Sequence, residues 1–121
     1  MAGWQGTLLC LQRNPYPGEL DAVEAAAKAK VHDLSASNAD LVEMLAILSL
    51  LEEYATVSNT NVHLRAGLGK GARILMPYPP EWRWMREGDS SPWFPGCRVY
   101  RQPPSRDWSE VLARLRSDLI R

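Results

Sequence analysis

The segment YATVSNTNVHLRAGLGKGARILM, residues 54–76, has the pattern of two strands joined by a helix. Its first apolar run predicts a buried strand over residues 54–57, and the polar residues 58–61 that follow are of the types that cap helix N-termini. Residues 62–68 then predict a short helix ended by glycines, and residues 72–76 predict another strand. Because a helix is the usual connection between two parallel strands, this segment predicts a parallel sheet.

Four further elements are predicted on the amino-terminal side of this segment. The first helix is rich in alanine and carries acidic residues early and lysines late, an order that the helix dipole favours. Ser37 or Asn38 is expected to cap the second helix. The elements are a strand over residues 6–12, a helix over residues 19–30, an edge strand over residues 31–34 and a helix over residues 39–53.

On the carboxyl-terminal side the sequence becomes rich in aromatic residues, glycine and proline. Residues 81–96 predict a long irregular loop that aromatic side chains hold in place. Residues 97–101 predict a last strand, and residues 107–120 predict a closing helix. The apolar residues expected to share one face of that helix are Trp108, Val111, Leu112, Leu115 and Leu119.

The alternation of strands with helices predicts a single α/β domain over residues 1–121. We expect a mostly parallel sheet with helices on both faces, which is a Rossmann-like three-layer α/β/α architecture. Ligands of such sheets bind at the carboxyl ends of the strands, so the unusual polar and aromatic residues are expected to share one edge. The loops expected to leave this edge are residues 12–18, 34–38, 58–61 and 77–96.

The composition excludes several classes of protein. The chain has 121 residues, of which 45% are hydrophobic, enough for one domain with a core. The chain has 14 basic residues (lysine and arginine) and 14 acidic residues (aspartate and glutamate). It therefore lacks the excess of basic residues that would predict a nucleic-acid partner. No apolar run approaches the length of a membrane span. The two cysteines match neither a disulfide framework nor a metal-ligand spacing, which favours a reducing, cytoplasmic compartment.

Several short motifs between residues 57 and 102 carry a resemblance to a known family. They are SNTNVHL (58–64), AGLGK (66–70), PYPPEWRW (77–84), SPWF (91–94) and YRQ (100–102). In this order they resemble the carboxyl-terminal domain of heptosyltransferase-related glycosyltransferases, in the form fused to tetratricopeptide repeats. The WRW and SPWF motifs at this separation are the specific part. A weaker match at Leu11 and Gln12 extends the resemblance over nearly the whole chain.

The resemblance implies one half of a two-domain, B-type glycosyltransferase. In that arrangement this domain binds a nucleotide-diphosphate sugar without a metal or other cofactor. A separate acceptor domain, in cis or in trans, supplies the catalytic base, so no catalytic residue is expected in this chain. Residues 6–12 match the family's second strand. The first strand and its glycine-containing loop are therefore expected to be absent, leaving the domain incomplete on its amino-terminal side.

The start of the helix that follows Ser58 is the expected site for the phosphates of the donor. Free backbone N–H groups and the positive end of the helix dipole suit a diphosphate. The residues assigned to this site are Asn59, Thr60, Asn61, Val62 and His63, and the resemblance aligns His63 with a histidine of the family. The family usually has Asp-Thr ahead of it, where this chain has Ser58-Asn59 or Asn59-Thr60. A capped helix start that has lost donor binding is therefore the alternative.

Four other residues are candidates for contacting the base, the sugar or a phosphate. Gln12 ends the first predicted strand and Arg13 follows it, a place where either base recognition or a polar turn explains them. Arg83 is a candidate to pair with a phosphate or a substrate carboxylate. Trp84, with the other aromatic residues Trp82, Trp93 and Phe94, is a candidate to stack on a sugar or base or else to pin the loop onto the sheet. Trp82 and Trp84 cannot both enter one core from an extended segment, so at least one of them is expected to be structural.

The remaining residues with side chains that could bind a ligand or react have simpler explanations. Arg101 and Gln102 end the last predicted strand and are expected either to close the site or to anchor the next loop. His32 and Asp33 lie at a predicted strand end, where a solvated or backbone-bonded pair is the simpler explanation. No third residue at metal-ligand spacing accompanies the histidine, so a zinc site is not expected. Cys10 lies within a predicted apolar strand, and Cys97 begins another. Neither cysteine has a histidine partner for nucleophilic catalysis.

Three functions follow from this sequence. The first is a donor-binding module for a nucleotide-diphosphate sugar. The second is a non-catalytic binding or scaffold domain that has kept the fold and lost donor binding. The third is a protein-interaction domain that self-associates through exposed strand edges.

Overall fold

The computed structural model describes residues 6–119, which form a mixed α/β structure of short parallel strands and α-helices. The predicted α/β class is confirmed. Residue 120, the last of the predicted closing helix, lies outside the described residues. The elements are β1 (Leu8–Cys10), α1 (Glu19–Ala27), β2 (Val31–Asp33), α2 (Leu41–Leu50), β3 (Ala55–Thr56), α3 (Thr60–Gly67), β4 (Arg73–Met76), β5 (Arg98–Arg101) and α4 (Ser109–Leu119), with 3₁₀ helices at Ser35–Ala39 and Trp82–Trp84.

The chain divides into two compact units, with the boundary inside α2 after Met44. In the first unit β1 and β2 pair in parallel, with Leu8 opposite Val31. In the second unit β3, β4 and β5 form a parallel sheet in sequence order. The strands pair in parallel, as predicted. They do not form the predicted single sheet, because the five described strands pair as two separate sheets.

Side chains on both faces of the β3-β4-β5 sheet are buried. Successive side chains of a strand alternate between the two faces. On one face Leu75 and Tyr100 lie opposite each other and pack with Leu115 of α4. On the other face the side chains of Ile74 and Val99 are also buried. A sheet buried on both faces explains why β4 and β5 contain apolar residues at successive positions.

Arg65 is buried within α3 and was not singled out by the sequence. Its Nε donates a hydrogen bond to the carbonyl oxygen of Gly71 at 2.5 Å, and its Nη1 donates to those of Leu48 and Leu51 at 2.6 and 3.2 Å. Burial lowers the pKa of the guanidinium, and the Coulombic attraction of Glu53 opposes that shift. The side chain therefore joins α3 to the end of α2 and to the turn before β4.

Two helix boundaries differ from the sequence prediction. Helix α1 ends at Ala27, because Lys28 adopts a left-handed conformation with φ of 55°. The lysines expected in its last turn therefore lie outside it, Lys28 as the C-cap residue and Lys30 beyond the helix. Helix α2 is capped by Asp40, whose Oδ1 accepts a hydrogen bond from the backbone N–H of Glu43 at 3.1 Å.

Ser37 and Asn38, the predicted caps of α2, have other partners. The hydroxyl of Ser37 donates to Oε1 of Glu43 at 3.0 Å, and Nδ2 of Asn38 donates to the carbonyl oxygen of Leu11 at 2.9 Å. Both residues lie in the 3₁₀ helix Ser35–Ala39, which occupies the predicted loop.

The apolar face of α4 is narrower than the sequence predicted. Val111 and Leu115 are buried, and Trp108 and Leu119 pack against their cluster. Leu112 is 47% exposed. Since one residue corresponds to about 100° of rotation around an α-helix, Leu112 points away from the line through Val111 and Leu115.

Candidate functional site

The candidate site lies at the carboxyl edge of the β3-β4-β5 sheet. Because the three strands are parallel, their carboxyl ends meet at one edge. The residues that leave this edge are Ser58 and Asn59 after β3, Pro77 after β4 and Gln102 after β5. Of the loops predicted to share such an edge, those at residues 58–61 and 77–96 do so in the second unit.

The start of α3 is capped by Asn59. Its backbone is extended, and its Oδ1 accepts a hydrogen bond from the N–H of Val62 at 3.2 Å. Its Nδ2 donates to Oγ1 of Thr56 at 2.9 Å. The sequence placed several cap candidates here, and this prediction is confirmed. One of the N–H groups expected to hold phosphate is therefore already satisfied by a side chain of the protein.

The other residues assigned to the phosphate site differ in exposure. Thr60 and His63 are exposed, whereas Asn61 and Val62 are buried. The ring of His63 meets that of Phe94 edge to face, with 4.9 Å between their centroids. The exposed side chains in the first turn of α3 are thus those of Thr60 and His63, and the loop after β4 contributes a ring beside the histidine.

The surroundings of Trp84 indicate a structural role. Its side chain is fully buried, stacks on Phe94 with centroids 4.7 Å apart, and donates its indole N–H to Oγ of Ser58 at 3.0 Å. The ring therefore fixes the aromatic loop to the turn before α3. Trp82, by contrast, is 64% exposed. The expectation that at least one of these tryptophans is structural is confirmed, although the segment is a 3₁₀ helix rather than extended.

Arg83 already has partners within the loop. Its Nη1 forms an ion pair with the carboxylate of Glu81, and its guanidinium lies over the ring of Trp82 at 4.9 Å from the centroid. About 40% of its side chain remains exposed. A phosphate at this position would have to compete with Glu81 for the guanidinium.

Arg101 anchors the loop that follows β4. Its guanidinium donates hydrogen bonds to the carbonyl oxygens of Trp84, Met85, Glu87 and Gly88, of which those of Met85 and Gly88 are 2.7 Å long. Burial lowers the pKa of the guanidinium, and Coulombic attraction by Glu87 opposes the shift. The sequence left two roles open for Arg101, namely closing the site or anchoring the next loop. These contacts show that it anchors a loop. That loop precedes β5 rather than following it.

Gln102 connects two loops at the same edge. Its Oε1 accepts a hydrogen bond from the backbone N–H of Tyr78 at 2.9 Å, and its Nε2 donates to the carbonyl oxygen of Arg106 at 2.7 Å. The residue is buried, and both ends of its amide are satisfied. Gln102 therefore positions the loops after β4 and β5 relative to the strands.

A cleft of about 320 Å³ lies between these loops, within the size range of small-molecule sites. Arg86 is exposed at this cleft and forms no salt bridge with any of residues 6–119. The sequence assigned no binding role to Arg86 or Tyr78, since neither lies in a recognisable spacing of ligand residues. The lining residues are Met76, Pro77, Tyr78, Pro80, Arg86, Glu87, Arg101 and Gln102.

The candidates from the first unit lie after β1. Gln12 and Arg13 are both exposed, and Nη2 of Arg13 makes a long hydrogen bond of 3.4 Å to the carbonyl oxygen of Asn38. All the other predicted site residues belong to the second unit. A polar turn, one of the two explanations given for Arg13, matches this contact.

The neighbourhood of His32 is that of an ordinary strand end. Oδ1 of Asp33 accepts a hydrogen bond from the backbone N–H of Ser35 at 2.9 Å, and hydrogen bonds from Ser35 lower the pKa of the carboxyl. The carboxylate thus stabilises the turn into the 3₁₀ helix. Within residues 6–119 no group of three or more histidine, cysteine or acidic residues could hold a metal ion.

Comparison of the chain with models of protein families, with curated proteins and with solved structures returned no match. No α-helix in the described part of the chain is long and apolar enough to cross a membrane.

The two cysteines should differ in reactivity. Cys97 is buried, and burial raises the pKa of its thiol, so the reactive thiolate is scarce near neutral pH. Cys10 is partly exposed. With an aromatic disulfide reagent at pH 7.5, we expect Cys10 to react and Cys97 to react about tenfold more slowly or slower still. A Cys10→Ser variant should lose the fast phase, and equal rates for both thiols would contradict the burial of Cys97.

Proposed function

We propose that this chain is a donor-binding module for a nucleotide-diphosphate sugar. The ligand binds at the carboxyl edge of the β3-β4-β5 sheet, with its diphosphate near the start of α3 and Arg86 supplying positive charge from the cleft. Transfer to an acceptor hydroxyl requires an acceptor domain in cis or in trans. We also propose that the fold is a Rossmann-like three-layer domain that forms one half of a B-type glycosyltransferase.

The observation that carries the proposal is the exposed guanidinium of Arg86 at a cleft on this edge. Arg83 is paired with Glu81 and Arg101 is bonded to four carbonyl oxygens, so their charges are already engaged. Arg86 has no salt-bridge partner in residues 6–119. An arginine that is not yet paired can bind phosphate through charge-assisted hydrogen bonds without first breaking an internal ion pair.

Two features support placing the phosphates at α3. Its first turn directly follows a parallel strand, where the positive end of the helix dipole and unpaired N–H groups attract anions. Thr60 and His63 are exposed in that turn and can donate hydrogen bonds from their side chains. The parallel order of β3, β4 and β5, with α4 packed on one face, supports the Rossmann-like architecture.

A scaffold domain that has lost donor binding is the second candidate. Asn59 already satisfies the N–H of Val62, and the buried Trp84 presents no exposed ring to a base. Both residues stabilise the loops of the edge without a ligand. This candidate makes the opposite prediction for nucleotide binding, so one titration separates the two.

The test is a titration of the ¹⁵N-labelled chain with nucleoside diphosphates and their sugars, followed by NMR. We expect saturable shifts at the amides of residues 59–63 and at residues around Arg86. Arg86→Ala should weaken binding about tenfold or more, because it removes a charge-assisted hydrogen bond. His63→Ala should also weaken it. Lys70→Ala removes an exposed positive charge between α3 and β4, away from the carboxyl edge, and should leave the affinity unchanged.

The outcomes distinguish the candidates. Affinity that falls equally in Arg86→Ala and Lys70→Ala would reflect non-specific attraction of the anion and would contradict a site at the cleft. Absence of saturable shifts with every nucleotide, in a sample whose spectrum shows a folded protein, would favour the scaffold domain.

A further inference from the structure

Trp82 and Trp93 form an exposed aromatic pair, which we call the tryptophan corner. Their rings meet nearly at a right angle, with 5.5 Å between centroids. The side chains are 64% and 58% exposed. Neither ring lines the cleft that contains Arg86. The corner therefore lies outside this cleft, and the cleft does not account for it.

The corner is held in place by a buried serine. The hydroxyl of Ser91 donates a hydrogen bond to the carbonyl oxygen of Arg83 at 2.5 Å and accepts one from the N–H of Trp93 at 3.2 Å. Ser91 is only 2% exposed. It joins the backbone beside one tryptophan to the backbone of the other. A ligand that binds this preorganised pair loses little free energy to the ordering of the loop.

The size of the corner favours a small ligand over a protein partner. A tryptophan offers on the order of 200 Å² of surface, so two rings exposed by about 60% present roughly 250 Å². A stable protein interface buries about 800 Å² on each partner. The area of the corner is closer to that of one or two sugar rings.

The groups around the corner match the chemistry of a sugar. A pyranose ring has an apolar face of C–H bonds that stacks on an aromatic ring, and hydroxyls at its rim that need donors and acceptors. The guanidinium of Arg83 lies over one face of the Trp82 ring and is paired with Glu81, so that face is covered and a donor and an acceptor lie next to the aromatic pair. Both side chains are part-exposed and can exchange water for hydroxyl groups.

We propose that the tryptophan corner is a carbohydrate-binding site that takes the C–H face of a pyranose ring in a glycan. One ring of the pair stacks on the sugar, the other closes the side of the site, and Arg83 and Glu81 bind its hydroxyls. The site is distinct from the nucleotide site and acts whether or not a nucleotide is bound.

The test uses four disaccharides, namely maltose, cellobiose, lactose and chitobiose, titrated into the ¹⁵N-labelled chain at millimolar concentrations. At least one should shift the indole N–H signals of Trp82 and Trp93 in a saturable manner while that of the buried Trp84 stays in place. Trp93→Ala and Trp82→Ala should each weaken this binding about tenfold, as expected for loss of an aromatic contact. Leu112→Ala, which removes an exposed apolar side chain of α4, is the matched control and should have no effect.

The results also separate this site from the nucleotide site. Trp93→Ala should leave nucleotide affinity unchanged, and Arg86→Ala should leave disaccharide affinity unchanged. The proposal is overturned if none of the four sugars gives saturable shifts, or if both tryptophan variants bind them as the wild type does. It is also overturned if the tryptophan variants abolish a concentration-dependent self-association of the chain while sugars have no effect, because the corner would then be a protein contact.

Discussion

Replacing Gly71 with alanine is expected to lower the free energy of unfolding by about 3 kcal/mol, at the upper end of the usual cost of overpacking. An added Cβ would overlap the carbonyl oxygen of Gly96 and lie 2.8 Å from its carbonyl carbon. Gly71 and Gly96 precede the paired strands β4 and β5, where the N–H of Arg98 donates to the carbonyl oxygen of Ala72 at 2.9 Å. Relief of the overlap therefore requires the two strands to move apart.

Urea unfolding followed by circular dichroism measures this effect. The matched control is Gly67→Ala at the last residue of α3, where no atom lies within 4 Å of the added Cβ. Alanine favours helix over glycine by up to about 1 kcal/mol, so this variant should be as stable as the wild type or slightly more stable. Equal unfolding midpoints for Gly71→Ala and the wild type would show that the backbones do not approach this closely.

Replacing Arg101 with methionine is expected to lower the free energy of unfolding by about 3 kcal/mol, because hydrogen bonds to a charged group contribute about 1.5–3 kcal/mol. The change leaves the carbonyl oxygens of residues 84, 85, 87 and 88 without their shared donor. The loop that lines the cleft should then open. Trypsin cleavage after Arg86, measured by mass spectrometry, should be faster in the variant than in the wild type.

Arg98→Met is the matched control for this experiment, since Arg98 lies in the same strand. Its ion pairs with Asp89 and Asp118 are 3.9 and 3.8 Å long and partly exposed, and such pairs contribute about 0–1 kcal/mol. We expect a small loss of stability and no faster cleavage after Arg86. If both variants lose the same stability, the carbonyl contacts of Arg101 contribute no more than a surface ion pair.

Local sequence patterns predicted the elements around the candidate site well. The polar run after β3 contained the N-cap of α3, and Asn59 is that cap because its side chain reaches the N–H of Val62. The PYPP motif follows the end of β4 at Met76, as expected of prolines that cannot continue a strand. These features depend on residues a few positions apart, so the sequence carries them directly.

The sequence was less informative about side chains whose environment comes from distant residues. Trp84 was a candidate to stack on a base, yet it is buried against Phe94 and bonded to Ser58, 26 residues earlier. Arg65 and Arg86 have the same chemistry, but one is buried among carbonyl oxygens and the other is exposed at a cleft. No local pattern distinguishes these two arginines.

The sequence by itself determined the α/β class, the parallel pairing and the position of most helices and strands, because backbone propensity, caps and glycine or proline breaks act over a few residues. The tertiary structure alone decided that the described strands form two sheets, which arginine is anchored by loop carbonyls, and which tryptophans remain exposed. Those outcomes depend on contacts between residues far apart in the chain, such as Arg101 with the carbonyl oxygen of Trp84. Such contacts exist only once the strands have brought their loops to the same edge.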